Sequence, residues 1–169
     1  WHYEDGEFSR RPGRRPSGYL IASEVKSFDD AGQFVLFPLV NQIRDRVAHW
    51  RNNNYPGVTG VTRTLLEHWR ERDADSAPFF FCQIEAIETI IWLIEGQSGE
   101  HSGLEIPGDG GAFRRYCAKM ATGSGKTIVM AMLIAWQILN KVTFPRDRRF
   151  SRNIFVVAPG LTVKSRLKV

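Results

Sequence analysis

The stretch that decides the reading is Met120-Ala-Thr-Gly-Ser-Gly-Lys-Thr127. Phe113 to Met120 ahead of it reads as a strand, and Thr127 to about Lys141 behind it as an apolar helix. A glycine-containing turn between a strand and a helix is the setting of a phosphate-binding loop. Gly123 and Gly125 can take backbone conformations closed to other residues. The N–H groups of such a turn face inward and cradle an anion. The positive end of the following helix points at the same place. Lys126 is placed to neutralise the β- and γ-phosphates of a nucleoside triphosphate, and the Thr127 hydroxyl to ligate Mg2+. The strict pattern asks for glycine at the first position, where this chain has Met120.

Downstream, Asn153–Ala158 reads as a second strand, ended by Pro159-Gly160, and Leu161–Val169 as the start of another helix. Strands alternating with a helix predict a parallel α/β sheet. Upstream, residues 96–111 hold Gly96, Gly99, Gly103, Gly108, Gly110, Gly111 and Pro107, the composition of a loop. Before it come three amphipathic helices. One runs from about Phe80 to Glu95, with Ile84, Ile87, Ile91 and Ile94 on one stripe. One runs from Thr59, a candidate N-cap, to Arg72, with Val61, Leu65 and Trp69 on a face. The first runs from Leu39 to about Arg51, with Pro38 in its first turn and Asn52–Gly57 as the turn behind it. Residues 1–37 read as irregular structure with short strands, Gln33–Phe37 among the candidates. Trp50, Trp69 and Trp92 fall on helical apolar stripes and are expected in the core.

Composition bounds the class. The chain has 169 residues, 43% hydrophobic and 24% charged, enough for one domain or one domain with an appendage. That excludes a disordered chain, a collagen and a coiled-coil rod. No apolar run reaches the ~18 residues of a membrane span, and no signal-peptide pattern is seen. Cys82 and Cys117 make neither a disulfide framework nor a zinc site, so a reducing, cytoplasmic setting is the simplest expectation. The four histidines show no ligand spacing. The net charge of +5 is uneven: residues 141–169 carry eight Lys and Arg against Asp147 alone. A polyanion is the partner such a segment suits. Arg10, Arg11, Arg14 and Arg15 form a second basic knot. The chain begins at Trp1 rather than Met and reads as a piece of something longer.

Ala121-Thr-Gly-Ser-Gly-Lys-Thr127, with Ile128–Trp136 behind it, resembles motif I of the DEAD/DEAH-type helicases of superfamily two. It is most similar to the helicase part of type III restriction enzyme subunits, over roughly residues 79–169. The resemblance implies an incomplete RecA-like lobe over 79–169, preceded by a mainly helical accessory region over 1–78. It implies ATP and Mg2+ as ligands, held by Thr122, Gly123, Ser124, Gly125, Lys126 and Thr127. It implies that Gln83, in Phe79-Phe-Phe-Cys-Gln83, reads the adenine, with a ring such as Phe81 stacked on the base. As residues alone, Gln83 also reads as a polar group at a helix start, and the phenylalanines as core. It implies that Val156–Gly160 and the residues behind it form motif Ia, where Pro159, Gly160, Thr162, Lys164 and Arg166 grip a nucleic-acid backbone. DNA rather than RNA, and a modification or specificity subunit as partner, follow from the resemblance alone. The span from Gln83 to Lys126 is long for such helicases, and the glycine-rich stretch at 96–111 accounts for the excess.

ATP hydrolysis also needs an Asp–Glu pair on a later strand. The only acid after Lys126 is Asp147, so this chain is not expected to turn over ATP by itself, and any nuclease chemistry would lie elsewhere in its parent. Two other classes fit the residues less well: a P-loop kinase or small NTPase, and a nucleic-acid or protein docking module working through residues 1–95.

Overall fold

The computed structural model describes residues 2–4, 7–9, 16–21, 32–71, 77–108 and 110–157. The chain falls into two compact units, Trp1–Arg46 and Val47–Val169. In the first, strand β1 (His2–Glu4) pairs antiparallel with β2 (Glu7–Ser9), and β3 (Gly18–Ile21) with β4 (Gln33–Leu36). Gly18 faces Leu36, and a Cβ at Gly18 would collide with the Val35 carbonyl and the Phe34 ring. Helix α1 (Pro38–Asn52) starts at the residue whose ring presets the helical φ. The Asn41 amide ties its first turn to Ser17, accepting from the Ser17 N–H at 2.8 Å and donating to the Ser17 carbonyl at 3.0 Å.

The second unit is built on helices α2 (Gly60–Arg70), α3 (Phe81–Glu95) and α4 (Lys126–Thr143). Thr59 caps α2 as expected: its hydroxyl accepts from the Thr62 N–H at 3.1 Å. All three helices pack on one another. Trp50, Leu66, Ile87, Ile91, Trp92 and Trp136 fill the core, each at most 1% exposed. The tryptophans expected inside are inside, and Trp136 joins them.

The interior also holds charge. Glu88, fully buried on α3, accepts from Arg51 through Nε at 3.1 Å and Nη2 at 2.7 Å. Arg70 Nε donates to it at 2.6 Å and the Tyr55 hydroxyl at 3.1 Å. Burial first, and then the Glu88 charge, push the Tyr55 hydroxyl up to about 12. Tyr55 holds a left-handed backbone (φ 55°) in the turn after α1, an arrangement bulky side chains avoid. Its ring meets Trp50 edge-on at 4.9 Å, so packing and the Glu88 bond together hold it there. Two turns further along α3, Glu95 accepts from the Thr59 N–H (2.9 Å), the Thr62 hydroxyl (2.6 Å) and the Trp136 indole (2.7 Å). Asn140 of α4 donates to Thr62 at 2.9 Å and takes the Thr59 hydroxyl. Glu95 and Asn140 thus bind α2, α3 and α4 into one polar knot.

The expected parallel sheet is not present among the described residues. Phe113–Met120 and residues 153–157 take no strand conformation, and the only sheets described are the two antiparallel pairs. A parallel strand is stable when flanked on both edges and covered on both faces. Here Phe113 is 75% exposed, Phe155 91% and Val157 76%. With no neighbouring strand among the described residues, these segments are irregular there. The 96–111 loop includes one short 3-10 turn, Ser98–His101, which His101 docks on α3 by a 3.0 Å contact to the Trp92 carbonyl.

Candidate nucleotide site

The turn ahead of α4 has the shape its glycines foreshadow. Gly123 (φ 77°) and Gly125 (φ 79°) are both left-handed, and Gly125 is the N-cap of α4. Its carbonyl accepts the first helical bonds, from Ile128 at 2.9 Å and Val129 at 3.3 Å. The N–H groups of the first turn of an α-helix have no partner within the helix. Lys126 and Thr127 sit in that turn, both exposed.

Three donors converge on the Ala121 carbonyl. Lys126 Nζ and Ser124 Oγ each reach it at 2.7 Å, and the Ser124 N–H at 3.4 Å. A carbonyl oxygen carries partial negative charge, so this is a small anion-directed cluster assembled by the loop on itself. A phosphate oxygen offers the same lone pairs with full charge, and charge-assisted hydrogen bonds are about twice as strong as neutral ones. The residues therefore fit a triphosphate: flexible lysine, small hydroxyl, left-handed glycines and helix end are all on one turn.

The segment before α3 meets this loop. Gln83 is 2% exposed. Its Oε1 accepts from the Phe80 N–H at 2.8 Å, closing the first turn of α3. Its Nε2 donates to the Ser124 carbonyl at 3.1 Å. A Cβ on Gly125 would land on that same Nε2, so residue 125 is glycine for two reasons, its φ and the amide beside it. The neighbouring Cys82 thiol lies 3.9 Å from the Ser124 carbonyl. Phe80 and Phe81 are each 60% exposed and are not core residues. The structure thus brings Gln83 and residues 121–127 together, a contact that the spacing of 41 residues between Gln83 and Ser124 does not announce.

The basic segment is divided. Asp147, whose carboxyl is held below its usual range mainly by the Arg149 hydrogen bond, pairs with Arg149 Nη2 at 2.8 Å. Phe150 anchors this loop by burying against Trp136, ring centroids 5.6 Å apart. Arg146, Arg148 and Arg152 are exposed. Pro159, Gly160, Thr162, Lys164 and Arg166, expected on a nucleic-acid backbone, lie outside the described residues, as do the 161–169 helix and Arg10, Arg11, Arg14 and Arg15. A cleft of about 630 Å³ is lined by Leu93, His101, Leu104, Ile106, Phe113 and Tyr116 among others, with none of residues 121–127 in its lining. Among the described residues, no helix is long and apolar enough to cross a membrane, and no group of three or more His, Cys, Asp and Glu could hold a metal ion.

Compared with known proteins, the sequence matches the family model described as "Type III restriction enzyme, res subunit" over residues 77–168. No curated protein matches the chain, and no solved structure does. The matched span opens just before the Gln83 helix and includes all of residues 121–127, and it is more than half of the chain. The chain belongs to the type III restriction enzyme res subunit family, a helicase-like family.

Proposed function

We propose that this chain is the nucleotide-binding part of an ATP-dependent DNA helicase or translocase, taking ATP with Mg2+ on the 121–127 loop. One observation carries the reading: Lys126 and Ser124 converge on a single oxygen, the Ala121 carbonyl, in the turn that two left-handed glycines shape at the mouth of α4. In this reading the Ala121 carbonyl gives up those donors to a phosphate oxygen. Gly123, Ser124 and Gly125 form the cradle, with Thr122 at its rim. Lys126 neutralises the outer phosphates and the Thr127 hydroxyl holds Mg2+, which bridges them. Phe81 offers its ring to the base, and Gln83 braces the loop from behind.

Nucleic acid, DNA in preference to RNA, is assigned to Pro159, Gly160, Thr162, Lys164 and Arg166. Residues 79–169 are the motor part of this proposal and residues 1–78 its accessory lead-in, in a cytoplasmic protein with a modification or specificity subunit as partner. The chain by itself is not proposed to turn over ATP. The one acid after Lys126, Asp147, is engaged by Arg149 behind the last turn of α4, which at ~1.5 Å per residue lies far from the phosphate loop.

Calorimetric titration with ATP and Mg2+ tests the loop. Lys126→Ala removes a charged donor worth about tenfold or more in affinity. Equal affinities of the two proteins for ATP would overturn the assignment.

A further inference from the structure

Gln83 has the amide an adenine reader needs, but the amide points elsewhere. To tell adenine from guanine, a side chain must present a donor and an acceptor together to the edge of the base. Both Gln83 heteroatoms are committed: Oε1 to the Phe80 N–H, Nε2 to the Ser124 carbonyl. An amide has a second lone pair and a second hydrogen. With the side chain 2% exposed and wedged over Gly125, those have no open surface on which a base could sit. Beside it in sequence are the aromatic rings of Phe80 and Phe81, each 60% exposed. Stacking on a ring does not depend on which base is stacked, because every base has a π-face.

We infer that the site accepts nucleoside triphosphates without selecting the base, and that Gln83 is a positioning residue that acts on the triphosphate by holding the Ser124 carbonyl. The inference rests on the phosphate-loop reading above. Ser124 lies between the two left-handed glycines, and a bond to its carbonyl restrains the peptide plane that joins it to Gly125. Freed of that bond, the loop loses part of its preorganisation for an anion. The loss falls on the phosphates and is the same whatever is attached to them.

The experiment is a calorimetric titration of the 169-residue chain with the Mg2+ complexes of ATP, GTP, CTP and inorganic tripolyphosphate. It is repeated for Gln83→Met, which keeps the volume and removes both bonds, and for Gln83→Glu, which keeps the acceptor toward Phe80 and removes the donor toward Ser124. Circular dichroism verifies that each variant is folded. The expected result is that wild type binds the three nucleotides within about threefold of one another. Both variants then lose about five- to tenfold for all four ligands alike, tripolyphosphate included, the size of one hydrogen bond. If wild type prefers ATP over GTP by tenfold or more, and Gln83→Met erases that preference while tripolyphosphate binding stays unchanged, Gln83 reads the base and the inference is overturned. Should wild type bind neither ATP nor tripolyphosphate, the phosphate-loop reading itself has failed.

Discussion

At its carboxyl end helix α4 is fixed by buried side chains from two other helices, whereas its amino end rests on the side of α3 through Gln83 and on bonds the loop makes with itself. Asn140 and Trp136 reach Thr59, Thr62 and Glu95, at or below a few per cent exposure for Thr62, Glu95, Trp136 and Asn140. The Lys126 ammonium and the Ser124 hydroxyl both donate to the Ala121 carbonyl, in exposed or half-exposed positions. Buried polar bonds resist loss because an orphaned partner cannot turn to water, while exposed ones exchange with solvent at little penalty. A loop that must release its own contacts to take an anion gains from the second kind, and a frame that must hold the loop in place gains from the first.

Substitutions should separate the two ends by size of effect. Glu88→Ala, in the frame, leaves two arginines and the Tyr55 hydroxyl without their acceptor. Breaking a buried pair destabilises by about 3–5 kcal/mol. The Arg51 and Arg70 side chains keep 25% and 35% exposure and can rehydrate in part, so the lower end, about 3 kcal/mol, is expected from urea denaturation. Thr59→Ala removes the α2 cap and the link to Asn140, and should destabilise by about 1 kcal/mol in the same measurement. Lys126→Ala should leave stability within about 0.5 kcal/mol of wild type while abolishing most nucleotide affinity. A large loss of stability there would mean that the loop is part of the frame, and the contrast between the ends would vanish.

A pH titration sharpens the same contrast without mutation. The Tyr55 hydroxyl is raised from 10.0 to about 12 in the folded chain. Its contribution is therefore complete below about pH 10 and is lost as pH climbs through 12. Tyrosinate absorbance should show one tyrosine ionising well after an ordinary one, together with the fall in stability. A single ordinary titration step for all tyrosines would place Tyr55 outside the buried cluster.

The four described α-helices were legible because each is a local object. Pro38, Thr59 and the isoleucine stripe of α3 mark their elements within a turn or two. The 121–127 turn, with left-handed Gly123 and Gly125 at the start of α4, was legible for the same reason, its glycines and lysine being contiguous. The sheet was not, because a parallel strand depends on neighbours that residues 113–120 and 153–157 do not meet among the described residues. Glu88 and Glu95 also escaped notice. An acid in an apolar helix reads as solvent-facing, yet both stand one position after the stripe residues Ile87 and Ile94, on the edge that turns inward. Their spacing of seven positions, two helical turns, is the signal that was available. Gln83 was singled out in the sequence as an adenine reader, but a sequence carries no direction for an amide, and its bonds to Phe80 and Ser124 appear only in three dimensions.

Ile154, Phe155, Val156 and Val157 leave the last well-anchored loop side by side and bare, from 40% to 91% exposed, with no charge and no proline among them. Such a run is a ready template for backbone pairing with any extended chain it meets. When the protein is concentrated, other copies are the nearest such chains. Clouding and gelation on concentration would then be set by these four residues rather than by the nucleotide loop, and a lysine at Val157 is the smallest change that should postpone both.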